Sequence, residues 1–352
     1  MKKNVLIFVH TEYHLLLAIN QIVKYYSDVT LFDVKLFIRK RKNSKRLIQP
    51  LDFSDLPISF DYFDEDVTSN SPLQETAKTA IKILLKINPS IFIFFQEQDP
   101  LMVILSNHFY KNGTEVFLLQ DGLKPYSHLR YHSFGLLKQE HKQNIWMRNN
   151  GFIVQSWFSP LFSKKYAYLK GISKLFLTFP EIYDNWNRKP LEKIEFLALE
   201  TLNPIYKKIF RWDNSLLPES RNIIFYMNQP MHDDGKAETR ILKELEQKFP
   251  DTLIYVKLHP LTDVINIEQF KTLKRVKLIN SPLPAELFIM NLKESLVLSV
   301  NSTSMFLNNP ECKFFYLYKI FKNDIKRLSR WIVKQNPAKH VNVISNIEEI
   351  SF

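Results

Sequence analysis

The sequence predicts an α/β protein of two Rossmann-like units, each a parallel sheet with helices on its faces. Three observations lead there. Short apolar, β-branched runs alternate with helix-period runs from residue 5 to 119, and a second series of the same kind runs from 222 to 317. Ile91–Phe95 has no polar interruption, as a strand buried on both faces requires. The 352 residues are 45% hydrophobic and 14% aromatic, enough to fill two separate cores.

Taken in order, Val5–Val9 is a strand, followed by a helical pattern over Tyr13–Tyr26. Val34–Ile38 is the next strand, then a helix from Pro72 to Lys86, the buried strand Ile91–Phe95, a helix over Leu101–Asn112 and a strand at Glu115–Leu119. Residues from about 125 to 215 are rich in Tyr, Phe, Trp and Pro and read as helices and loops, closing a first domain at 1–215. The second domain, 216–352, runs strand Asn222–Met227, helix Glu238–Lys248, strand Leu253–Val256, helix Ile267–Leu273, strand Val276–Ile279, helix Ala285–Asn291, strand Leu296–Val300 and strand Phe314–Leu317. No internal repeat links the halves.

Composition excludes several classes. The six glycines stand at 113, 122, 135, 151, 171 and 235, so neither a Gly-x-Gly-x-x-Gly loop nor a Walker loop can be drawn. A single cysteine, Cys312, excludes an intrachain disulfide and a cysteine-ligated zinc finger, in keeping with a reducing compartment. Val5–Val9 is broken by His10-Thr11-Glu12 without a small-residue cleavage site, so it reads as a strand rather than a signal peptide. No apolar run approaches the roughly 18 residues of a spanning helix, and the expected location is cytoplasmic.

The net charge of +12 implies acidic company. It is concentrated in Arg39 to Arg46 and in Lys319 to Lys334, where Ile320, Phe321, Ile325, Leu328, Trp331 and Ile332 fall at helical spacing. The first reading of each is a solvated surface. The sharper one is peripheral adhesion to an anionic inner-leaflet membrane. Nucleic-acid motifs are missing, so no nucleic-acid partner is expected. A homodimer stays open.

Chemistry gathers at strand ends, where open α/β sheets bind ligands. Lys257-Leu258-His259-Pro260 ends a strand, because proline cannot donate to the ladder and keeps His259 extended. Strand 296–300 runs into Asn301-Ser302-Thr303-Ser304, a hydroxyl-rich turn expected to open a helix and suited to a phosphate. Glu286 opens the helix after Ser281-Pro282-Leu283-Pro284 and reads either as a favourable first-turn carboxylate or as a ribose ligand. Gln229 follows the strand ending at Met227. In the first domain Gln120-Asp121-Gly122 ends strand 115–119, and Gly122 permits a tight turn that puts the Asp121 carboxylate at the sheet edge as a candidate general base. Asp233 and Asp234, in Met231-His232-Asp233-Asp234-Gly235, are rival bases. Thr11 and His14 follow the first strand, where they either face an acceptor or cap the next helix. His232-Asp233-Asp234 is a poor metal site, since three adjacent side chains rarely ligate one ion.

The order Asp121-Gly122, His259-Pro260, then Ser302-Thr303-Ser304 resembles the bacterial sialyltransferases, and Thr11-Glu12-Tyr13-His14-Leu15-Leu16 and Tyr226-Met227-Asn228-Gln229-Pro230 look like their lipooligosaccharide branch. The resemblance also takes in the capsular polysialyltransferases. It implies the GT-B architecture, two Rossmann-like domains facing across a cleft, with the acceptor on the first and the donor on the second. It implies inverting transfer from a CMP-sugar to a glycan or glycolipid hydroxyl, with no metal or other cofactor. Carried over, Asp121 is the base, His259 serves the CMP phosphate with Lys257 and Pro260 beside it, Glu286 the ribose, and Ser302 to Ser304 the phosphate. Gln120 departs from the pattern, standing where the family has an acidic residue, whereas Asp233-Asp234-Gly235 matches it in the other domain. A CDP-polyol phosphotransferase, a CMP-Kdo transferase and a non-catalytic glycan- or lipid-binding protein of the same fold are the alternatives.

Overall fold

The computed structural model describes residues 2–41, 50–65, 81–126, 141–142, 145–152, 166–217, 220–229, 236–260, 262, 264–322 and 338–352. The chain divides into two units, Met1–Ile48 with Phe53–Leu197, and Gln49–Asp52 with Ala198–Phe352. The division falls at 197/198 rather than at the expected 215/216. The reason is the helix Leu199–Ile209, which packs on the helix Ala285–Ile289 of the second unit.

The first unit is one parallel sheet. Its strands are β1 (Lys3–Val9), β2 (Phe32–Arg41), β3 (Ile58–Glu65), β4 (Ile91–Phe94), β5 (Glu115–Leu119), β6 (Lys174–Leu177) and β7 (Leu191–Lys193), in the order β3-β2-β1-β4-β5-β6-β7. The order reverses beside β1, which makes the β1/β4 junction the switch point where such sheets take ligands. Helices α1 (Glu12–Tyr25) and α2 (Pro100–Lys111) cover it. Thr11 caps α1 through its hydroxyl, and Asp99 caps α2 with Pro100 in the first turn, where a missing N–H costs nothing. Every residue of β4 is buried, as its unbroken apolar run requires, and Phe8, Phe92, Phe94 and Phe109 pack in one core. Burial of each such ring contributes about 1.5–3 kcal/mol.

The second unit repeats the plan. Strands β8 (Ile224–Met227), β9 (Ile254–Lys257), β10 (Val276–Ile279), β11 (Ser295–Ser299), β12 (Cys312–Tyr316) and β13 (Val341–Val343) pair in parallel in the order β10-β9-β8-β11-β12-β13. The switch point lies between β8 and β11. Helices α3 (Leu199–Ile209), α4 (Lys236–Lys248), α5 (Val264–Phe270) and α6 (Ala285–Ile289) complete it, with Tyr226, Ile241, Leu242 and Phe270 at the core.

Several expectations are corrected. The stretch 125–215, expected to be helices and loops, holds two strands, β6 and β7. The hydroxyl-rich run after β11 opens a single 3-10 turn, Thr303–Phe306, rather than an α-helix. The basic block beginning at Arg39 starts inside β2, and Arg39 is buried rather than solvated. In the other basic stretch Phe321 is fully buried, and residues 323–334 lie outside the described residues, as do 42–46. No helix among the described residues is long and apolar enough to cross a membrane.

Candidate functional site

Two polar constellations stand at the carboxyl ends of the two sheets. In the first unit β5 delivers Gln120 and Asp121. Gln120 is fully buried. Its Nε2 donates to Tyr13 Oη at 2.7 Å, while its Oε1 accepts from Tyr126 Oη at 2.5 Å and from the Thr178 N–H at 2.9 Å. An amide supplies the donor and the acceptor together, so this neutral hub ties the ends of β5 and β6 to the start of α1. These bonds account for an uncharged residue at the position where the resemblance expects an acidic one.

Asp121 has its side chain 14% exposed. Oδ1 accepts from His14 Nε2 at 3.0 Å, and Oδ2 pairs with the Lys124 ammonium. Its backbone N–H donates to Tyr166 Oη at 3.2 Å, and that hydroxyl donates to Leu119 O at 3.1 Å. Gly122 follows at φ 61°, a left-handed conformation that glycine adopts without steric cost. His14 lies in the first turn of α1, is 1% exposed, and stacks on Phe95 with ring centroids 4.4 Å apart and planes 9° apart. Its N–H donates to the Thr11 hydroxyl at 3.2 Å, so Thr11 caps the helix that presents His14. Burial alone would raise the Asp121 carboxyl, but the His14 hydrogen bond and the Lys124 charge outweigh it and hold the carboxyl well below the ordinary carboxylate range.

The same unit buries a carboxyl that sequence reasoning missed. Glu97, on the loop after β4, is 2% exposed. Its Oε1 accepts from the Ala167 N–H at 2.7 Å, and its main-chain carbonyl accepts from Tyr168 Oη at 2.9 Å. Burial pushes Glu97 up to about 8, against the lowering effect of backbone N–H groups from 167–169 and of Lys124; the Lys189 and Tyr183 side chains also feel its charge. Its folded value exceeds the ordinary 4.5, so between those two values the folded chain keeps a proton that the unfolded chain releases. The contribution of Glu97 to stability is therefore complete below about 4.5 and is lost as pH rises to about 8. In Glu97→Gln the decline across that window should shrink, by on the order of 1 kcal/mol per pH unit. Urea unfolding of both proteins from pH 5 to 8.5 measures this.

A second missed group is Arg39, whose side chain is 3% exposed, forms an ion pair with Asp99 and stands 3.4 Å from His10 Nδ1. Asp99 meanwhile accepts from the N–H of Leu101 at 3.0 Å as cap of α2. The ends of β1, β2 and β4 are thus joined by one buried charge pair. The signal available was Asp99-Pro100, a cap and first-turn pair five residues after the end of the buried strand β4.

In the second unit the donor-side candidates share one sheet edge, on β9, β10, β8 and β11. The His259 N–H donates to Asn228 Oδ1 at 3.3 Å, and the Thr262 N–H closes the His-Pro turn on His259 O at 2.9 Å. Lys257 is 5% exposed, and its ammonium donates to Ser281 O at 2.7 Å and Leu258 O at 3.2 Å, clamping the exit of β10 to that of β9. The Gln229 N–H donates to Glu238 Oε1 at 3.1 Å. Glu286, 7% exposed in the first turn of α6, acts electrostatically on the buried Tyr206 of α3. The Ser302 hydroxyl accepts from the Ser304 N–H at 3.2 Å and caps the turn through Thr303, while Ser302 O accepts from Tyr316 Oη at 2.9 Å. Pro260 is half-buried on the same turn as His259. Asp233 and Asp234 lie outside the described residues. Among the described residues no group of three or more His, Cys, Asp or Glu side chains is arranged to hold a metal ion.

Two all-parallel Rossmann sheets with polar residues at their carboxyl ends define a GT-B protein. The solved structures similar to it agree. The GT-B domain of a sialyltransferase from Photobacterium damselae matches at TM-score 0.54 and 12% identity, over 97% of this chain and 99% of that one. A UDP-GlcNAc 2-epimerase from Methanocaldococcus jannaschii matches at 0.53 and 12%, over 97% and 88%. One from Neisseria meningitidis matches at 0.52 and 13%, over 86% and 79%. The alpha-2,8-polysialyltransferase family model matches residues 6–313, and the chain belongs to that family, a sialyltransferase-type glycosyltransferase. No curated protein matches it significantly.

Proposed function

We propose that the protein transfers a sialic acid from a CMP-sugar to a glycan hydroxyl, with inversion and without a metal ion. The observation that carries this reading is Asp121, a partly exposed carboxylate fixed by His14 and Lys124 at the carboxyl end of β5. Asp121 takes the proton of the acceptor hydroxyl as that oxygen bonds to the anomeric carbon of the donor sugar. The bond from that carbon to the CMP phosphate oxygen breaks, and the electron pair leaves with CMP. His14 holds the carboxylate in place through Oδ1. His259 supplies a hydrogen bond or a proton to the departing phosphate, and the Ser302–Ser304 turn offers hydroxyl and N–H donors to the same group. Glu286 is read as the ribose ligand, and Lys257 keeps its loop in register with His259. The net charge of +12 suits an anionic acceptor such as a growing sialic acid chain at the cytoplasmic face of a membrane.

Thermal unfolding with CMP, CDP, UDP and GDP tests this directly. Binding to the native state stabilises it by mass action, by about 2.7 kcal/mol at a hundredfold excess over Kd, and so raises the midpoint. The expected outcome is a rise with CMP above all the others. A larger rise with CDP would point to a polyol-phosphate donor, and no rise with any nucleotide would leave a non-catalytic protein.

A further inference from the structure

We propose that Glu238 is a positioning residue for the donor site, acting through Asn228 on the His259-Pro260 turn. The inference rests on His259 serving the donor. Glu238 lies in the first turn of α4 and is fully buried. Three donors from one four-residue run converge on its carboxyl. Oε1 accepts from Tyr226 Oη at 2.9 Å and from the Gln229 N–H at 3.1 Å, and Oε2 accepts from Asn228 Nδ2 at 2.5 Å. Both carboxyl oxygens are therefore used as acceptors.

This arrangement sets the direction of the Asn228 amide. With Nδ2 turned to Glu238, Oδ1 faces β9, where it accepts from the His259 N–H at 3.3 Å and from the Thr262 hydroxyl. Thr262 in turn donates its own N–H to His259 O at 2.9 Å. The main chain of His259 is thus held on both sides by groups that Asn228 organises, and Asn228 is organised by Glu238. The Asn228 N–H donates to Lys257 O at 3.1 Å, so the same residue also carries the β8–β9 ladder one step further. Burial of Ala237 and Glu238 shows that the first turn of α4 faces inward.

A glutamine in place of Glu238 has one acceptor and one donor end. Its NH₂ would meet either Asn228 Nδ2 or the Tyr226 and Gln229 donors. Relief by flipping the Asn228 amide would aim NH₂ at the His259 N–H, so the mismatch passes to the turn. A small displacement of a positioned group can cost roughly 10²-fold.

The test is steady-state kinetics and CMP binding on E238Q, N228A and the swap E238Q/N228D. In the swap, the aspartate introduced at 228 accepts from the NH₂ introduced at 238, from His259 and from Thr262. The amide oxygen at 238 accepts from Tyr226 and Gln229, so the donors to Glu238 and to Asn228 Oδ1 again have acceptors, and only the Asn228 Nδ2 bond to Gln229 O, 3.2 Å in the native protein, is lost. We expect E238Q and N228A to raise the CMP Kd and the donor KM by about 10-fold or more. The acceptor KM should stay unchanged, and the swap should recover most of the loss. A merely structural role would be restored in stability by the swap without restoring donor affinity, and that result overturns the proposal. If E238Q does not fold, N228A decides alone, since an unchanged CMP Kd there breaks the link to His259. Wild type that binds no CMP overturns the donor reading and this inference with it, and His259→Ala that binds CMP normally overturns this inference. Loss of CMP binding in His259→Ala beside unchanged E238Q and N228A overturns this inference only.

Discussion

Asp121→Asn is expected to lower turnover by about 10²–10⁴-fold while CMP still raises the unfolding midpoint as in wild type. The substitution preserves shape and leaves an oxygen to accept from His14 Nε2, 3.0 Å away in the native protein. What disappears is the charge proposed to remove the acceptor proton and the ion pair with Lys124. Lys124 is 27% exposed and can turn its ammonium to water, so the fold should survive the loss. The pH behaviour should change too. Asp121 is held below its ordinary 3.8, so the stability it contributes is present above that value and lost as pH falls through the lowered one. The variant should therefore lose less stability on acidification than wild type. Initial rates with a CMP-sugar, together with acid titration of the unfolding midpoint, measure both effects. Near-normal turnover would transfer the base to Asp233 or Asp234.

The architecture could be read where burial leaves a pattern in one short window. β4, β8, β9 and β11 are buried throughout, and each shows as an apolar run ended by a polar residue. β7, Leu191–Lys193, is an edge strand of three residues with two charged ones, so neither length nor pattern marks it. β6 owes its place to parallel pairing with β5, more than fifty residues upstream, which no local window contains. In the site, the residues at strand ends were legible because chain direction and proline fix them. Their partners were not. His14 and Asp121 meet across 107 residues, Arg39 and Asp99 across 60, and His259 and Asn228 across 31. A charge read alone looks solvated, and only the fold shows that Arg39 and Glu238 are buried with acceptors or donors around them. Gln120 shows the same effect in reverse: as a departure from a motif it cast doubt on Asp121, and its four hydrogen bonds explain it as a hub.

His259→Ala should abolish the CMP-dependent rise in midpoint and lower kcat/KM for the donor by about 10²–10³-fold. The main chain at this position does not depend on the imidazole, since the N–H is taken by Asn228 Oδ1 and the carbonyl by the Thr262 N–H. Pro260 keeps the preceding residue extended whatever its side chain. Alanine therefore removes the ring and leaves these main-chain bonds of the turn in place. The contrast with Asp121→Asn is the informative part, because the proposed roles assign one group to the acceptor and the other to the donor. Loss of the carboxylate is expected to leave donor binding and slow turnover, whereas loss of the imidazole is expected to weaken the hold on CMP and leave the acceptor KM unchanged. A variant that binds CMP normally but turns over slowly would confine His259 to the departing phosphate in the transition state. A variant normal in both respects would make the His-Pro turn a structural device of β9, with the Ser302–Ser304 turn then carrying the phosphate alone.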